Sequence, residues 1–284
     1  MAGLKVSGMA GPTGPPPSRP RAADPAGEVA DMIEPVVPDR LRWLAGLLDP
    51  GPGERIVDLG CGTGSTLEAI AGRLPRADLE LLGLDASAAA LRAAERTLGR
   101  LPNAARLLVQ ADLAGQVPLA DASVDRALCH NVLECLPDPD ALVAEAYRVV
   151  RPGGHLVLSH SDFDTLVFAS EDLELTRWLV RAYCDTQQDW MDAVDGTIGR
   201  RLVDIVGRSR LRVDDVQARV NLSQRFQPGE LGYAYAHNLA AVLRASGQVD
   251  PAELDSWLAG LHRLDARRAF LFSVNDYAVV CARP

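Results

Sequence analysis

The chain of 284 residues has a mass of 30.4 kDa, which suffices for one large domain, or a domain with a cap, around a buried core. Its 29 basic and 38 acidic side chains leave a formal net charge of −9, and this balance argues against nucleic-acid binding over a broad surface. The chain contains no run of about 18 apolar residues, so no membrane span is expected.

The cysteines indicate the cellular compartment. There are five of them, an odd number, and none forms a Cys-x-x-Cys pair. This pattern argues against a disulfide framework or a zinc site and favours a reducing compartment. The N-terminus lacks the basic start and apolar core of a secretory signal. We therefore expect a cytoplasmic protein without a metal site.

Proline and glycine dominate residues 1–24. Such a segment buries too little apolar surface to offset the entropy lost on ordering, and we expect a disordered tail. The alternative is an arm that closes over a ligand. Apolar residues at helical spacing then predict a helix over about 28–48, made irregular in its first half by Pro35 and Pro38.

Short apolar runs alternate with amphipathic stretches between residues 55 and 160. Strands are predicted at 55–60, 79–85, 105–111, 124–130 and 155–160, and helices at 64–74, 87–99 and 139–150. Buried strands separated by helices of this length predict an α/β fold with a doubly wound, mostly parallel sheet.

The pattern changes after residue 165. The predicted elements are a helical stretch, a strand, two helices and a strand, at 166–209, 211–222, 228–246, 251–269 and 271–282. This helical material exceeds what the sheet needs for its connections, so we interpret it as a cap over the carboxyl edge of the sheet. The chain then divides into a tail (1–24), a core (25–165), and a cap with the last two strands of the same sheet (166–284).

Three glycines at alternate positions follow the first predicted strand. They are Gly60, Gly62 and Gly64, in the run VDLGCGTGS. Glycine removes the side chain where the backbone must turn sharply and contact a ligand. The dinucleotide fingerprint GxGxxG does not fit, because Ser65 or Leu67 stands where its third glycine would be.

Three acids accompany the first three strands at their carboxyl ends: Asp58, Asp85 and Asp112. Asp85 can accept hydrogen bonds from both hydroxyls of a ribose, and Asp112 or the backbone beside it can meet an adenine amino group. Each acid alone could cap a helix or a turn. Together they suit a ligand with a nucleoside and a positive charge, and they would repel a pyrophosphate.

With these motifs, the chain resembles the class I S-adenosylmethionine-dependent methyltransferases, the seven-stranded Rossmann-like group, and their bacterial small-molecule branch. The resemblance covers about 40–160 well and 195–284 more loosely, through VDLGCGTGS, LGLDAS, QADL, CHNVLECLPDP and VVRPGGHLVLSH. It implies S-adenosyl-L-methionine as cofactor and a sheet of order 3-2-1-4-5-7-6 with the last strand antiparallel.

The resemblance also implies roles for individual residues. The glycine loop would lie against the methionine part of the cofactor, Asp85 would hold the ribose, Asp112 and Leu113 would border the adenine, and His130 and Asn131 would line the methyl-transfer side. The cofactor-binding residues implied in this way are Asp58, Gly60, Cys61, Gly62, Gly64, Asp85, Ala86, Ala111, Asp112, Leu113, His130 and Asn131.

Methyl transfer from a sulfonium is a direct displacement, so positioning and desolvation can supply much of the catalysis. A base is needed only when the acceptor must lose a proton. The catalytic candidates are His130 and His160, which are predicted to end strands four and five, and Asp162. The alternatives are a His130 that bonds only to the backbone and an Asp162 that caps a helix starting near 165.

The predicted cap contributes candidates for substrate binding. Tyr233 and His237 are four residues apart on one face of a helix, and Trp190 and Phe163 complete the set. Simple packing of the cap on the core is the alternative for these aromatic residues. Arg200 could bind a substrate carboxylate or pair with nearby acids.

We expect a methyltransferase acting on an oxygen, nitrogen or electron-rich aromatic carbon of a small molecule, of the polyketide, phenol or indole alkaloid type. Expected partners are this acceptor and, as one option, a second copy of the chain, with neither nucleic acid nor membrane. One alternative is a binding or regulatory protein that keeps the fold without turnover. The other is a nicotinamide oxidoreductase, which the missing third glycine and the absence of Tyr-x-x-x-Lys disfavour.

Overall fold

A computed structural model describes residues 38–284, except 76–77, 102–103 and 187–195. The predicted tail, the part of the first predicted helix before residue 38, and Trp190 lie outside the described residues. The elements in chain order are α1 (Pro38–Leu48), β1 (Arg55–Leu59), α2 (Ser65–Arg73), β2 (Leu79–Asp85), α3 (Ala88–Leu98), β3 (Ala104–Gln110), β4 (Val124–His130), a short 3-10 helix (Leu133–Cys135), α4 (Pro139–Val149), β5 (Val150–Phe168), α5 (Leu173–Cys184), α6 (Ile198–Gly207), β6 (Arg212–Ser223), α7 (Leu231–Ser246), α8 (Pro251–Ala266) and β7 (Phe272–Ala282).

The described strands form one sheet of order β3-β2-β1-β4-β5-β7-β6. The first five strands pair in parallel, whereas β7 is antiparallel to both of its neighbours. The implied fold is therefore confirmed. Strand order reverses between β1 and β4, which lie side by side, and open sheets of this kind bind ligands at the carboxyl ends of the strands beside such a reversal.

Two buried clusters lie on opposite faces of the sheet. Ile56 and Leu128 belong to the cluster under α1, α2 and α3, whereas Val57 and Cys129 belong to the cluster under α4 and α6. Successive residues of a strand point to opposite faces, so both faces of β1 and β4 are covered. This explains why adjacent positions of these strands, such as Ile56–Val57 and Leu128–Cys129, are apolar without alternation.

A third buried cluster joins the extended strands to the last helices. Phe168 at the end of β5 and Phe272 at the start of β7 pack at 4.8 Å between ring centroids, in one cluster with side chains of α5, α7 and α8. The strands predicted near 211–222 and 271–282 do belong to the sheet. The division of the chain at residue 165 stays a prediction.

The helical stretch predicted over 166–209 is wrong at its beginning, because β5 continues to Phe168. Pairing with β7 extends the strand: Asp162 lies opposite Asn275, and Phe168 lies opposite Phe272. Within the described ranges, no helix has the length and apolar character needed to cross a bilayer.

Candidate functional site

The glycine loop between β1 and α2 has a backbone that favours glycine. Gly60, Gly62 and Gly64 have φ of +83°, +50° and +78°, a region that side chains with a Cβ rarely adopt. A Cβ on Gly60 would overlap Val132 Cγ2, and one on Gly64 would lie 3.1 Å from Ala94 Cβ. A Cβ on Gly62 would meet no atom within 4 Å. The loop is thus packed at its two ends and open at its middle glycine.

The end of β2 holds this loop in place. The backbone N–H groups of Gly60 and Cys61 both donate to the carbonyl oxygen of Leu84, at 2.8 and 2.9 Å. The Gly62 N–H donates to Asp85 Oδ2 at 2.8 Å, and the Ser87 N–H donates to Asp85 Oδ1 at 2.9 Å. Each carboxylate oxygen can accept a further hydrogen bond. Asp85 can therefore orient the loop and still receive two hydroxyl groups.

The loop lies in an electronegative environment. Asp58 is 2% exposed. Burial and the negative charges of Asp58 and Asp85 raise the pKa of the Cys61 thiol, which is therefore neutral. The sequence from residue 57 to residue 65 contains neither lysine nor arginine. Such a site attracts a cationic ligand and disfavours a polyanion.

The segment after β3 is tied to the end of β2. The Ala111 N–H donates to the carbonyl oxygen of Asp85 at 3.0 Å, and Gln110 Nε2 donates to the carbonyl oxygen of Ala86 at 2.9 Å. Asp112 Oδ1 accepts from the Ala114 N–H at 3.0 Å, which stabilises the following turn. The predicted ribose and adenine residues are thus neighbours, and their binding roles stay predictions.

The segment after β4 is anchored on β5. Asn131 has a φ of +53°, its N–H donates to the carbonyl oxygen of Ser159 at 3.1 Å, and its Oδ1 accepts from the Ser161 N–H at 2.9 Å. His130 is the last residue of β4, as expected, and is 9% exposed. Asn131 therefore ties the segment after β4 to β5, and its place at the methyl-transfer side stays a prediction.

Glu134 and His160 form a buried charged pair that sequence reasoning missed. Both side chains are buried, at 3% and 0% exposed, and His160 Nε2 contacts Glu134 Oε2. His160 Nδ1 lies 2.7 Å from the carbonyl oxygen of Ser161. With Glu134 ionised, both partners are acceptors, and the ring satisfies both only when both nitrogens carry protons. The only signal in the sequence was an acid four residues after a strand end.

The pKa of His160 reflects this environment. Burial alone would lower it, but the charge and hydrogen bond of Glu134, the carbonyl of Ser161 and the charge of Asp276 together raise the pKa above its ordinary value. Asp276, on β7, accepts from Ser161 Oγ at 2.6 Å and from Asn221 Nδ2 at 2.7 Å. These contacts favour the protonated, imidazolium form of His160.

Two predicted positions on β5 are wrong. His160 does not end strand five, and Asp162 does not cap a helix starting near 165, because the strand runs eight residues beyond His160, to Phe168. Asp162 Oδ2 instead accepts from the Arg200 N–H at 3.2 Å, in the first turn of α6. Asp162 is fully buried, and its two oxygens accept from Arg200 Nε and Nη2, each at 2.6 Å. Arg200 Nη1 also contacts Asp164 at 3.1 Å. The ion-pair interpretation of Arg200 is therefore confirmed.

Among the predicted substrate-binding residues that the structure describes, Phe163 has other ring partners than Tyr233 and His237. Phe163 is buried, with its ring 6.1 Å from those of His160 and Tyr235. Tyr233 stacks on His237 at 3.9 Å between ring centroids, and both pack on Phe226. Residues two apart in a helix point to different sides, so Tyr233 and Tyr235 belong to separate contacts of α7.

Comparison with known proteins adds to this geometry. Residues 57–158 match the model of a methyltransferase domain. A protein of Streptomyces fradiae described as an uncharacterized 37.1 kDa protein in transposon TN4556 is 29% identical over 88% of this chain and 73% of its own length. The ubiquinone biosynthesis O-methyltransferase of Cupriavidus pinatubonensis is 34% identical over 48% of this chain and 52% of its own length.

The chain thus spans only about half the length of that O-methyltransferase. Among solved structures, the YcgJ protein of Bacillus subtilis matches with a TM-score of 0.56 and 16% identity, over 86% of this chain and 98% of its own. At this identity the likeness shows a shared fold.

Proposed function

This chain belongs to the class I S-adenosylmethionine-dependent methyltransferases, and we propose that it methylates a small-molecule acceptor. When bound, the cofactor S-adenosylmethionine supplies an activated methyl group on a sulfonium. The acceptor atom is an oxygen, a nitrogen or an electron-rich aromatic carbon. The names of curated relatives as O-methyltransferases support an oxygen, and a specialised metabolite is the acceptor class that we propose.

The observation that carries this proposal is the open, electronegative glycine loop. Gly62 offers space where the other two glycines are packed, and its N–H is held by Asp85. Asp58 and Asp85 lie near this space without a lysine or arginine in the loop. These residues fit a ligand that combines a ribose with a positive charge.

We assign roles on this basis. The loop from Asp58 to Gly64 holds the methionine part, Asp85 and Ala86 the ribose, and Ala111, Asp112 and Leu113 the adenine. His130, the last residue of β4, and Asn131, which follows it, border the transfer side. Methyl transfer from a sulfonium is a direct displacement. The residues at these strand ends therefore act chiefly by aligning the acceptor with the methyl group and by excluding water.

His130 is the base that we propose where the acceptor must lose a proton. His160 is fully buried and both of its ring nitrogens face acceptors, which leaves it no nitrogen to receive a proton. Asp162 is fully buried and bound to Arg200. The base role predicted for His160 and Asp162 is thus disfavoured by their contacts. The cytoplasmic location stays a prediction.

Replacing Asp85 by asparagine tests the cofactor site. We expect S-adenosylhomocysteine to bind the native chain with one-to-one stoichiometry. The variant should bind more weakly by about 1.5–3 kcal/mol, roughly 10- to 150-fold, because hydrogen bonds to a charged group are lost. Isothermal titration calorimetry measures both. Asp255→Asn, an exposed acid on α8, is the matched control for charge.

Three measurements test the residue role and separate the competing functions. Unchanged affinity in Asp85→Asn would remove this residue from the ribose site. Binding of NAD in place of S-adenosylhomocysteine would favour the oxidoreductase. Screening acceptors by mass spectrometry, for a gain of one methyl group, then separates an enzyme from a protein that binds the cofactor without turnover.

A further inference from the structure

The buried pair of Glu134 and His160 is not used by the proposed transfer step, because both ring nitrogens of His160 face acceptors. Replacing a buried ion pair by apolar residues of similar volume is often neutral or stabilising, so stability alone does not account for this pair. Its hydrogen bonds are directional and can fix the position of the segment that carries them. The place of Glu134 in the fold shows which segment this is.

Glu134 lies in the segment that follows β4, residues 131–136, which we call the β4 turn. The Cys135 N–H donates to the carbonyl oxygen of Val132 at 2.9 Å, which closes one helical turn of the 3-10 type. Three residues complete a turn of such a helix, so side chains two positions apart point to different sides. Val132 and Glu134 therefore contact different neighbours.

Val132 contacts the glycine loop. Its Cγ2 atom occupies the space that a Cβ on Gly60 would need, and it packs in one buried cluster with Val57 and Leu59 of β1. From β2, the carbonyl oxygen of Leu84 accepts the Gly60 N–H at 2.8 Å. Gly60 is thus held between β2 and Val132, and a displacement of Val132 would release one side of the first glycine of the loop.

The polar side chains of the β4 turn contact β5. Near the start of the turn, Asn131 Oδ1 accepts from the Ser161 N–H at 2.9 Å. Near its end, Glu134 Oε2 contacts His160 Nε2. His160 Nδ1 lies 2.7 Å from the carbonyl oxygen of Ser161, so the ring cannot rotate without losing a second contact. β5, which lies between β4 and β7, is therefore the support on which the turn is fixed.

We propose that Glu134 is a positioning residue for cofactor binding, which acts through Val132 on the glycine loop. The contact of Glu134 with His160 holds the β4 turn on β5, and the turn holds Gly60 so that the loop stays open at Gly62. This inference rests on the proposed function, because it takes the loop as the site of the methionine part. The alternative is that apolar packing holds the turn without Glu134.

Binding of S-adenosylhomocysteine to the folded protein separates these two. Glu134→Ala should raise the dissociation constant at least fivefold, at a temperature where circular dichroism shows a folded variant. Glu54→Ala is the matched control: Glu54 pairs with Arg126 at 2.6 Å, both side chains are 16% exposed, and the pair lies at the amino ends of β1 and β4. This control should lose stability and keep its affinity. Unchanged affinity in Glu134→Ala, or an equal loss in both variants, would overturn the proposal.

A conservative variant distinguishes position from charge. In Glu134→Gln the amide can donate to a neutral His160 Nε2 while Nδ1–H donates to Ser161, so this variant should bind S-adenosylhomocysteine within twofold of the native chain. If Glu134 acted by its charge, both variants would weaken S-adenosylmethionine, which carries a sulfonium, and leave S-adenosylhomocysteine unchanged. That result would contradict a positioning role.

A double-mutant cycle tests the route from Glu134 to the loop. Val132→Ala removes the contact with Gly60 and should itself weaken S-adenosylhomocysteine. If Glu134 acts through this contact, adding Glu134→Ala should weaken binding by less than a further twofold, whereas independent effects would multiply. Multiplying effects would exclude the route through Val132.

Hydrogen exchange without ligand keeps this inference apart from the proposed function. The Gly60 and Cys61 N–H groups bond to the carbonyl oxygen of Leu84, and their exchange should be at least fivefold faster in Glu134→Ala than in Glu54→Ala. Faster exchange in a chain that binds no S-adenosylhomocysteine would support the coupling to the loop and overturn the proposed cofactor site. Equal exchange in the two variants would overturn the coupling.

Discussion

Replacing Glu134 by alanine should lower the free energy of unfolding by about 3–5 kcal/mol, because the buried His160 loses its counter-charge and must either give up its proton or stay charged without a partner. His160 is fully buried, and Glu134 is the carboxylate that its Nε2 contacts. Urea denaturation at neutral pH measures the loss. Glu171→Ala is the matched control: this acid pairs with Arg263 at the surface, and its loss should change stability far less.

The same variant should reverse the pH dependence of stability. In the native chain the pKa of His160 is raised. Its contribution is therefore complete below about pH 6.5, the value in unfolded chains, and is lost as pH rises through the raised folded value. Without Glu134, burial dominates and lowers the pKa, so stability should instead be lost as pH falls, although Asp276 still faces the ring.

Removing both partners provides the internal check. When a buried ion pair is replaced by apolar residues of similar volume, stability is often unchanged or raised. Glu134→Leu combined with His160→Leu should therefore recover most of the stability that Glu134→Ala loses. If Glu134→Ala alone leaves the unfolding midpoint in place, His160 is not a buried cation and the assignment made from its two acceptors is wrong.

Gly60→Ala and Gly62→Ala should separate the folding of the glycine loop from its contact with the cofactor. At Gly60 the positive φ costs about 1–2 kcal/mol, and the overlap with Val132 adds about 1–3 kcal/mol. We expect a loss of about 2–5 kcal/mol in the free energy of unfolding. At Gly62 the added Cβ meets no protein atom, so only the strain of about 1–2 kcal/mol remains.

The order of the two variants should change when binding is measured. If the space at Gly62 receives the cofactor, Gly62→Ala should weaken S-adenosylhomocysteine at least tenfold while the protein stays folded. Val132→Ala added to Gly60→Ala should restore the packing part of its loss and leave the backbone strain. Full cofactor affinity in Gly62→Ala would mean that the ligand does not approach the loop at its open glycine.

The glycine loop shows why part of the site could be predicted. Its signal is local: three glycines at alternate positions after an apolar run, and an acid at the end of the next strand. The structure places them as expected, with Gly62 bonded to Asp85, because the first two parallel strands lie side by side. Contacts between consecutive elements are what a periodic pattern can predict.

His160 and Asp162 show why the rest could not be predicted. Both lie in a strand whose length depends on pairing with β7, more than a hundred residues later. Their charged partners, Glu134 and Arg200, are distant in sequence by 26 and 38 residues. Nothing in the local pattern distinguishes a histidine that can accept a proton from one that is held as a buried cation.

The amino-acid sequence by itself determined the alternation of strands and helices, the glycine loop and the acids at the strand ends, because hydrophobic period and glycine chemistry act over a few residues. Only the tertiary structure decided the contacts of His160 with Glu134, the pairing of Asp162 with Arg200, and the extension of β5 to Phe168. These features depend on which side chains, distant in sequence, are buried together. A buried charged group that lacks its partner costs several kcal/mol of folding free energy, so tertiary contacts outweigh the local pattern.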